Sequence, residues 1–246
     1  MNLTKRNFLT SNQLKILAAV LMLIDHAGVM LFPDIATLRI LGRLSFPIFA
    51  FLIAEGCVYT KNKRKYFFSV FSLGAFCQIV FYLTEKSTDL GILITFSCSI
   101  LLCYLWEYMK KICLSTDEGI LFKIFLIANF FLAVFAAYLL NQICYVDYGF
   151  LGCMLPLFAC AFRKVELNGK TYLATLDHNV VHVISFGFGL WLHAVESGGI
   201  QIYSLLAIPL LLLYSGKRGN RKLKLFFYIF YPVHFAVLAL IQQLFF

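Results

Sequence analysis

The chain has 246 residues, of which 61% are hydrophobic and 13% carry a formal charge. Soluble domains carry charge on about a quarter of their residues, so this composition excludes an ordinary soluble protein and indicates an integral membrane protein. The net charge of +9 does not predict nucleic-acid binding, because the basic residues form short clusters between hydrophobic runs and no continuous basic face.

Nine hydrophobic runs follow one another along the chain, and we predict an all-α polytopic membrane bundle of about nine transmembrane helices. One crossing takes about 20 apolar residues. The sixth and eighth runs are short for a full crossing, which is typical of thin, tilted or partly re-entrant segments. Because all connections are short, we predict one membrane domain over residues 1–246. The predicted spans lie near 14–32, 38–58, 66–83, 91–109, 120–140, 149–162, 179–196, 201–214 and 225–245.

The basic residues predict the orientation of the bundle. With the N-terminus in the cytoplasm, all but three of the 21 Lys and Arg residues fall in cytoplasmic segments, as the positive-inside rule requires. The three exceptions are Arg39, Arg43 and Lys86. The first run has a basic flank like that of a signal peptide, but Asp25 and His26 interrupt its apolar core and no cleavage site follows, so we expect it to be retained.

The first span carries three ionisable residues. Lys15 and His26 are eleven residues apart, which places them on nearly the same helical face and about 16 Å apart along the axis. Ala18 and Ala19 stand between them and leave room for a narrow groove. A cation at the mouth suits a phosphate, and a buried imidazole suits a general base. Asp25, about 80° round the helix, is expected either to orient the imidazole through an intermediary or to pair with a neighbouring span.

The second span places a charge at a matching depth. Arg43 lies at about the depth of Asp25, so we predict an ion pair between them. Pro47 removes the helical hydrogen bond to the carbonyl of Arg43 and predicts a kink there. Near the inner end, Glu55 precedes a basic loop. Membrane topology alone is enough to explain the charge of this loop, and phosphate binding is an optional further role.

The last span repeats the combination of proline and histidine. Pro232 interrupts the helical hydrogen bonds, and Tyr231 and His234 share a helical face. His234 lies about 13 Å from the cytoplasmic edge, close to the depth of His26. We therefore predict that the two histidines line one cavity.

The seventh span carries a row of polar residues at helical spacing. Within it, His178 and His182 have the i, i+4 spacing of metal ligands, but no carboxylate or HExxH context completes such a site. We therefore favour a polar helix–helix seam and expect no metal. The row consists of His178, His182, Ser185, Gly189, His193 and Glu196.

The chain resembles the TraX family of bacterial membrane proteins in four segments that occur in the same order along nearly its whole length: LKILAAVLMLIDHAGVML, LRILGRLSFPIFAFLIAEGCVYTKNKRKY, VDYGFLGCMLPL and FYIFYPVHFAVLALI. TraX proteins are associated with N-terminal acetylation of conjugative pilin and are similar to transmembrane acyltransferases that take acetyl-CoA from the cytoplasm. The spacing of a basic residue and a histidine in the first span also resembles the acyltransferase-three family. The resemblance implies that Asp25 and His26 form the catalytic core, with Arg43, Glu55 and His234 in support.

On this resemblance we expect an acetyltransferase of the bacterial cytoplasmic (inner) membrane. It would take acetyl-CoA from the cytoplasm and acetylate an unidentified acceptor, which is a peptide N-terminus, a glycan or a small molecule. His26 would act as a base or as a transient acyl carrier, and Arg43 or His234 would stabilise the developing oxyanion. Direct attack and an acetyl-histidine intermediate are both open. The residues expected to bind acetyl-CoA are Lys15, Glu55 and Tyr231.

Two other classes of protein fit the same buried polar residues. A proton-coupled transporter would use the Asp and His side chains as a proton relay, although such proteins often contain internal repeats and this chain shows none. A non-catalytic membrane assembly subunit would use the polar residues only to pair helices. Release of free thiol from acetyl-CoA separates the acetyltransferase from both.

Overall fold

The computed structural model describes residues 9–86, 88–219 and 223–245, without the side chains of Glu85 and Lys224. These residues form helices joined by short connections and one small β-hairpin, which confirms the predicted all-α membrane bundle. A 3₁₀ helix, Gly199–Leu206, precedes α9. The α-helices are α1 Ser11–Met30, α2 Ala36–Gly42, α3 Ser45–Tyr59, α4 Lys63–Glu85, α5 Ile92–Leu114, α6 Ile120–Ile143, α7 Gly149–Cys160, α8 Asn179–Ser197, α9 Ala207–Leu212 and α10 Lys224–Phe245.

Seven segments of the described chain are long and apolar enough to cross a membrane, so the protein is a multi-pass membrane protein. Six are the single helices α1, α4, α5, α6, α8 and α10, and the seventh consists of α2 and α3 together. The two predicted short spans are the two shorter apolar helices, Gly149–Cys160 and Gly199–Leu212. At 1.5 Å per residue α7 is only about 18 Å long, against a hydrocarbon core of about 30 Å.

Side-chain contacts show how α7 runs. Thr95 and Ser99 of α5 donate to the carbonyls of Asp147 and Cys153, each at 2.8 Å. Near the other end of α5, Lys110 Nζ donates to the carbonyl of Arg163 at 2.7 Å. Helix α7 therefore runs parallel to α5, which is one of the candidate membrane spans.

Backbone pairing at the start of the chain gives a second constraint. Leu9 N donates to the carbonyl of Leu213 at 3.1 Å, and Ser11 N donates to the carbonyl of Lys217 at 2.8 Å. These two segments thus lie on the same side of the membrane, which requires an even number of crossings between them. The structure gives seven segments long and apolar enough to cross, and a crossing by Gly199–Leu212 stays a prediction. The cytoplasmic N-terminus stays a prediction.

The second predicted span is interrupted where the sequence indicates. Helix α2 ends at Gly42 and α3 begins at Ser45, so the break falls at Arg43. Pro47 explains the position of the break, because it has no N–H to donate to the carbonyl of Arg43. The break leaves the guanidinium of Arg43 at a junction between two helices.

A hairpin that the sequence analysis did not predict follows α7. Its strands are β1 Val165–Leu167 and β2 Lys170–Tyr172, paired antiparallel. Asn168 and Gly169 connect the strands with φ of +48° and +73°. Asn-Gly is the preferred pair for such a two-residue turn, because both positions need positive φ.

The described residues form two compact units. The first contains the residues up to Leu52 and those from Leu190 onward, and the second contains Ile53–Gly189. Helices α3 and α8 each contribute residues to both. The single domain expected from the sequence stays a prediction.

Candidate functional site

The first unit brings α1 and α2 into close contact through two glycines. A Cβ on Gly28 would lie 2.9 Å from the Cβ of Leu38, and a Cβ on Gly42 would collide with the side chain of Asp25. Small residues at such positions allow two membrane helices to approach closely. The sequence of α2 therefore leaves a space that the Asp25 carboxylate fills.

The Asp25 carboxylate binds two arginines. It is 8% exposed, and its oxygens lie 2.7 Å from Nη1 of Arg39 and 3.3 Å from Nη2 of Arg43. The predicted Asp25–Arg43 pair is confirmed, so Asp25 pairs with the neighbouring span rather than reaching toward His26 through an intermediary. Its catalytic role stays a prediction. The contact of Arg39 with Asp25 was not predicted, although the i, i+4 spacing of Arg39 and Arg43 places them on one helical face.

His26 and His234 are in direct contact. Nδ1 of His26 lies 2.9 Å from Nε2 of His234, and the rings stack with centroids 5.0 Å apart. Phe235 packs against both rings, with its centroid 4.3 Å from that of His26 and 4.4 Å from that of His234. The prediction that these histidines share one depth is confirmed. Their catalytic roles stay predictions.

The hydrogen bonds assign the protons of the neutral pair. Nδ1 of His234 lies 2.9 Å from the carbonyl of Phe230. A carbonyl oxygen only accepts, so Nδ1 of His234 donates and its Nε2 carries a lone pair. That lone pair accepts the Nδ1–H of His26. Nε2 of His26 is therefore the unprotonated nitrogen of its ring, because the contact with His234 fixes the tautomer of His26.

Tyr231 lies one turn before His234 and is buried. Its ring meets that of His234 edge to face, with centroids 5.8 Å apart, and it packs against Phe235 at the same distance. The residue thus supports the aromatic surroundings of the histidine pair. Its predicted role in binding acetyl-CoA stays a prediction.

Lys15 lies in the first turns of α1, beside a second basic residue that the sequence analysis did not connect with it. Arg218 is close enough to interact electrostatically with Lys15, and the carbonyl of Arg218 accepts the backbone N–H of Asn12 at 3.2 Å. The positive-inside pattern assigns both segments to the cytoplasmic side. The structure therefore brings two cations together near the start of α1. The groove predicted between Lys15 and His26 is not open at the two alanines, because Ala18 is 0% and Ala19 3% exposed and Ser45 donates to the carbonyl of Ala18.

The second unit contains a separate charge cluster. Glu55, which is 6% exposed, forms an ion pair with Arg163. Nη1 of Arg163 also lies 3.7 Å from the carboxylate of Asp177, which is bound by Nε2 of His182 at 2.9 Å. Glu55 was predicted from the sequence, but Arg163 and Asp177 were not, because they lie in the connection between α7 and α8 and look like loop residues. The predicted role of Glu55 toward acetyl-CoA stays a prediction.

The polar row of α8 packs against α7 as expected for a helix–helix seam. Ser185 donates to the carbonyl of Phe158 at 2.8 Å. A Cβ on Gly189 would collide with the ring of Phe158, so glycine is required for this close approach. Within the described residues no group of three or more His, Cys, Asp or Glu side chains is placed to hold a metal ion.

Comparison with known proteins gives three findings. A family model described as TraX protein matches residues 10–242. The chain is 27% identical to "Probable fimbrial assembly protein FimC, serogroup H1" of Dichelobacter nodosus over 246 aligned residues, which cover 92% of this chain and 93% of that protein. A stretch of 52 residues is 40% identical to "Uncharacterized protein RP591" of Rickettsia prowazekii (strain Madrid E) and covers 21% of each chain. No solved structure matches the chain at a significant level.

Proposed function

Because the chain belongs to the TraX family, we propose that it is an acetyltransferase of the bacterial cytoplasmic membrane that takes acetyl-CoA from the cytoplasm. We propose further that its acceptor belongs to pilus or fimbrial assembly, as the name of the Dichelobacter nodosus relative suggests. The observation that carries the proposal is the His26–His234 contact, which leaves Nε2 of His26 as a free base. Acyl transfer commonly uses an imidazole as general base, with a second group that holds the ring in one tautomer and orientation.

The transfer step uses that nitrogen directly. Nε2 of His26 takes the proton of the acceptor amine or hydroxyl. At the same time the nitrogen or oxygen of the acceptor forms a bond to the thioester carbonyl carbon. The π electrons of the carbonyl move to its oxygen. When the C=O bond re-forms, the C–S bond breaks and the CoA thiolate takes the proton from His26. The products are the acetylated acceptor and free CoA thiol.

His234 contributes by positioning. Its Nε2 accepts the Nδ1–H of His26 before and after proton transfer, so it holds the ring orientation and stabilises the imidazolium. Its own N–H is already donated to the carbonyl of Phe230. Neutral His234 therefore has no donor for an oxyanion, and we propose Arg43 for that role.

Acetyl-CoA would bind with its phosphates at the start of the first helix. Lys15 and Arg218 would hold its phosphates at the cytoplasmic end, where their charges lie together. His26 lies about 16 Å further along the axis of α1. The extended pantetheine arm separates the phosphates of CoA from its thioester, so one bound molecule would present its acetyl group near His26.

The proposal is tested with purified protein in detergent or nanodiscs, acetyl-CoA and a peptide that carries the N-terminus of a fimbrial or pilin subunit from the same organism. We expect free thiol to appear together with acetylated peptide. A burst of thiol without the peptide would indicate an acetyl-histidine intermediate instead of direct transfer. A well-folded protein that releases no thiol with amine or hydroxyl acceptors would contradict the proposal.

A second candidate function is fimbrial assembly without catalysis. The name of the Dichelobacter nodosus relative favours it, and the Asp25 ion pairs would then serve only to hold helices together. The two functions differ in cells. If His26→Ala restores normal fimbriae to a deletion strain at normal protein level, the assembly role does not depend on transfer chemistry.

A further inference from the structure

Three buried donor atoms, one on Arg43 and two on the 3₁₀ helix, have no hydrogen-bond partner among the described residues. They are Nε of Arg43, Nε2 of Gln201 and Oγ of Ser204. Gln201 is 6% exposed and Ser204 is fully buried. Buried polar groups in proteins are nearly always satisfied, because an unmade hydrogen bond loses the hydration of the group without replacement. Three such atoms in one region therefore point to a ligand.

The geometry places the three donors along one surface. Oε1 of Gln201 accepts from Nη1 of Arg43 at 3.3 Å, which leaves the amide nitrogen as the group with nothing to bind. Gln201 and Ser204 are three residues apart in the 3₁₀ helix, where residues i and i+3 eclipse. Ser204 thus lies on the face that meets Arg43, about 6 Å further along the helix.

The charges of the neighbouring side chains indicate which kind of ligand would bind. Within the described chain, Arg39 and Arg43 both pair with the carboxylate of Asp25. The Asp25 carboxylate lies 2.7 Å from Arg39 and 3.3 Å from Arg43, whose side chain is only 13% exposed against 27% for Arg39. The less compensated positive charge is therefore that of the more buried Arg43, where an unpaired charge is costly. Two of the three donor atoms cannot accept a hydrogen bond. The complementary ligand group therefore carries acceptor oxygens and one negative charge.

We propose that Arg43, Gln201 and Ser204 form a buried site for one negatively charged oxygen group of the substrate. The source of the group rests on the proposed function: it is either a carboxylate that the acceptor carries or the oxyanion that develops on the thioester carbonyl. The donor atoms are closed to solvent, so the ligand enters as the 3₁₀ helix moves. Such helices have poorer hydrogen-bond geometry than α-helices, and Gly198 and Gly199, with φ of +65° and +52°, precede this one.

The binding test uses acetate as the probe and acetamide, its neutral isostere, as the matched control. Purified wild-type protein is unfolded thermally at constant ionic strength with increasing concentrations of each. A ligand that binds only the folded state raises the melting temperature. We expect acetate to raise it and acetamide not to, and we expect Ser204→Ala and Gln201→Glu to weaken the apparent affinity for acetate by about tenfold or more.

Melting temperatures without acetate provide an internal control. Ser204→Ala should keep or raise the melting temperature, because it removes a hydroxyl that has nothing to bind. Ser45→Ala should lower it, because Ser45 is also buried but donates to the carbonyl of Ala18 at 2.8 Å. Gln201→Glu should raise it, because the new carboxylate still accepts from Arg43 and supplies the missing negative charge.

Kinetics distinguishes the two sources of the charge. If the group is a carboxylate of the acceptor, Ser204→Ala raises KM for the acceptor and spares kcat, whereas an oxyanion donor lowers kcat and spares KM. His26→Ala should retain the shift induced by acetate, so a protein that proves inactive still tests the anion site. Equal acetate shifts in wild-type, Ser204→Ala and Gln201→Glu proteins, or no shift specific to acetate in the wild type, would overturn the proposal. So would a loss of stability in Ser204→Ala equal to that in Ser45→Ala.

Discussion

Asp25→Ala removes the carboxylate that Arg39 and Arg43 share in the described part of the chain. Removing one partner of a buried ion pair costs about 3–5 kcal/mol, because it leaves a charge without compensation. The Arg39 side chain is 27% exposed and that of Arg43 13%, so Arg39 is partly rehydrated while Arg43 is not. We expect a loss of about 3 kcal/mol in the free energy of unfolding.

Arg43→Ala should cost less than Asp25→Ala. The sequence alone suggested that Arg43 was the partner of Asp25, so its removal would have cost the full 3–5 kcal/mol. With the structure, the expected loss in the free energy of unfolding is only about 1–2 kcal/mol, because Asp25 keeps its 2.7 Å contact with Arg39. The ranking of the two variants therefore tests whether the carboxylate is shared.

The assay is reversible unfolding of the purified protein in mixed micelles with increasing denaturing detergent. Glu107→Ala is the control, because the Lys63–Glu107 pair is about half exposed and should contribute less than about 1 kcal/mol. If Arg43→Ala proves as costly as Asp25→Ala, Arg39 does not hold the carboxylate. If Asp25→Ala unfolds like the wild type, the arginines are solvated and the buried cluster is wrong.

Topology, helix contact and the second charge cluster each give a further test. In a cysteine-free background, Lys63→Cys should resist an impermeant thiol reagent in intact cells and Lys86→Cys should react, and the opposite pattern would reverse the orientation. Gly42→Ala should lower the melting temperature, because α1 and α2 must separate, whereas Gly119→Ala has open space and should change the unfolding free energy by less than about 0.5 kcal/mol; equal effects would refute the contact. Arg163→Ala should cost about 3 kcal/mol, because it removes the guanidinium that two carboxylates share, and normal unfolding of this variant would show that the pairs do not stabilise the fold.

Contacts that depend on the depth of a residue in the membrane could be predicted from the sequence. Spans set by hydrophobic length give each polar residue a depth, and residues of equal depth can meet. That reasoning predicted the Asp25–Arg43 pair, which the structure confirms, and a common depth for His26 and His234, which the structure shows in direct contact. The break at Arg43 was also predictable, since Pro47 acts on a fixed carbonyl four residues before it.

Contacts that depend on helix geometry could not be predicted from depth alone. Arg39 was counted as a topological charge, because hydropathy does not show which face of a helix it occupies. Gln201 and Ser204 are uncharged, so their burial gives little signal in sequence, and the 3₁₀ geometry that aligns them is not visible in composition. Arg218 reaches Lys15 through backbone pairing between two segments far apart in the chain.

The β-hairpin after α7 could have been predicted from its turn residues, although not from the hydrophobic pattern. Asn168 and Gly169 form a pair that strongly favours a two-residue hairpin turn, with polar residues on either side. These residues lie between two apolar runs, so hydropathy gives no indication of a hairpin there. The Asn-Gly pair alone predicts the turn.

Turnover and acetyl-CoA binding of the His26→Ala protein test the central claim most directly. A general base contributes about 10²–10⁴ to the rate of the chemical step, while the phosphates of CoA would be held about 16 Å away near Lys15. We expect thiol release to fall by at least about a hundredfold, with acetyl-CoA affinity and melting temperature close to those of the wild type. A folded His26→Ala protein that releases thiol at the wild-type rate would contradict the assignment of His26 as the base.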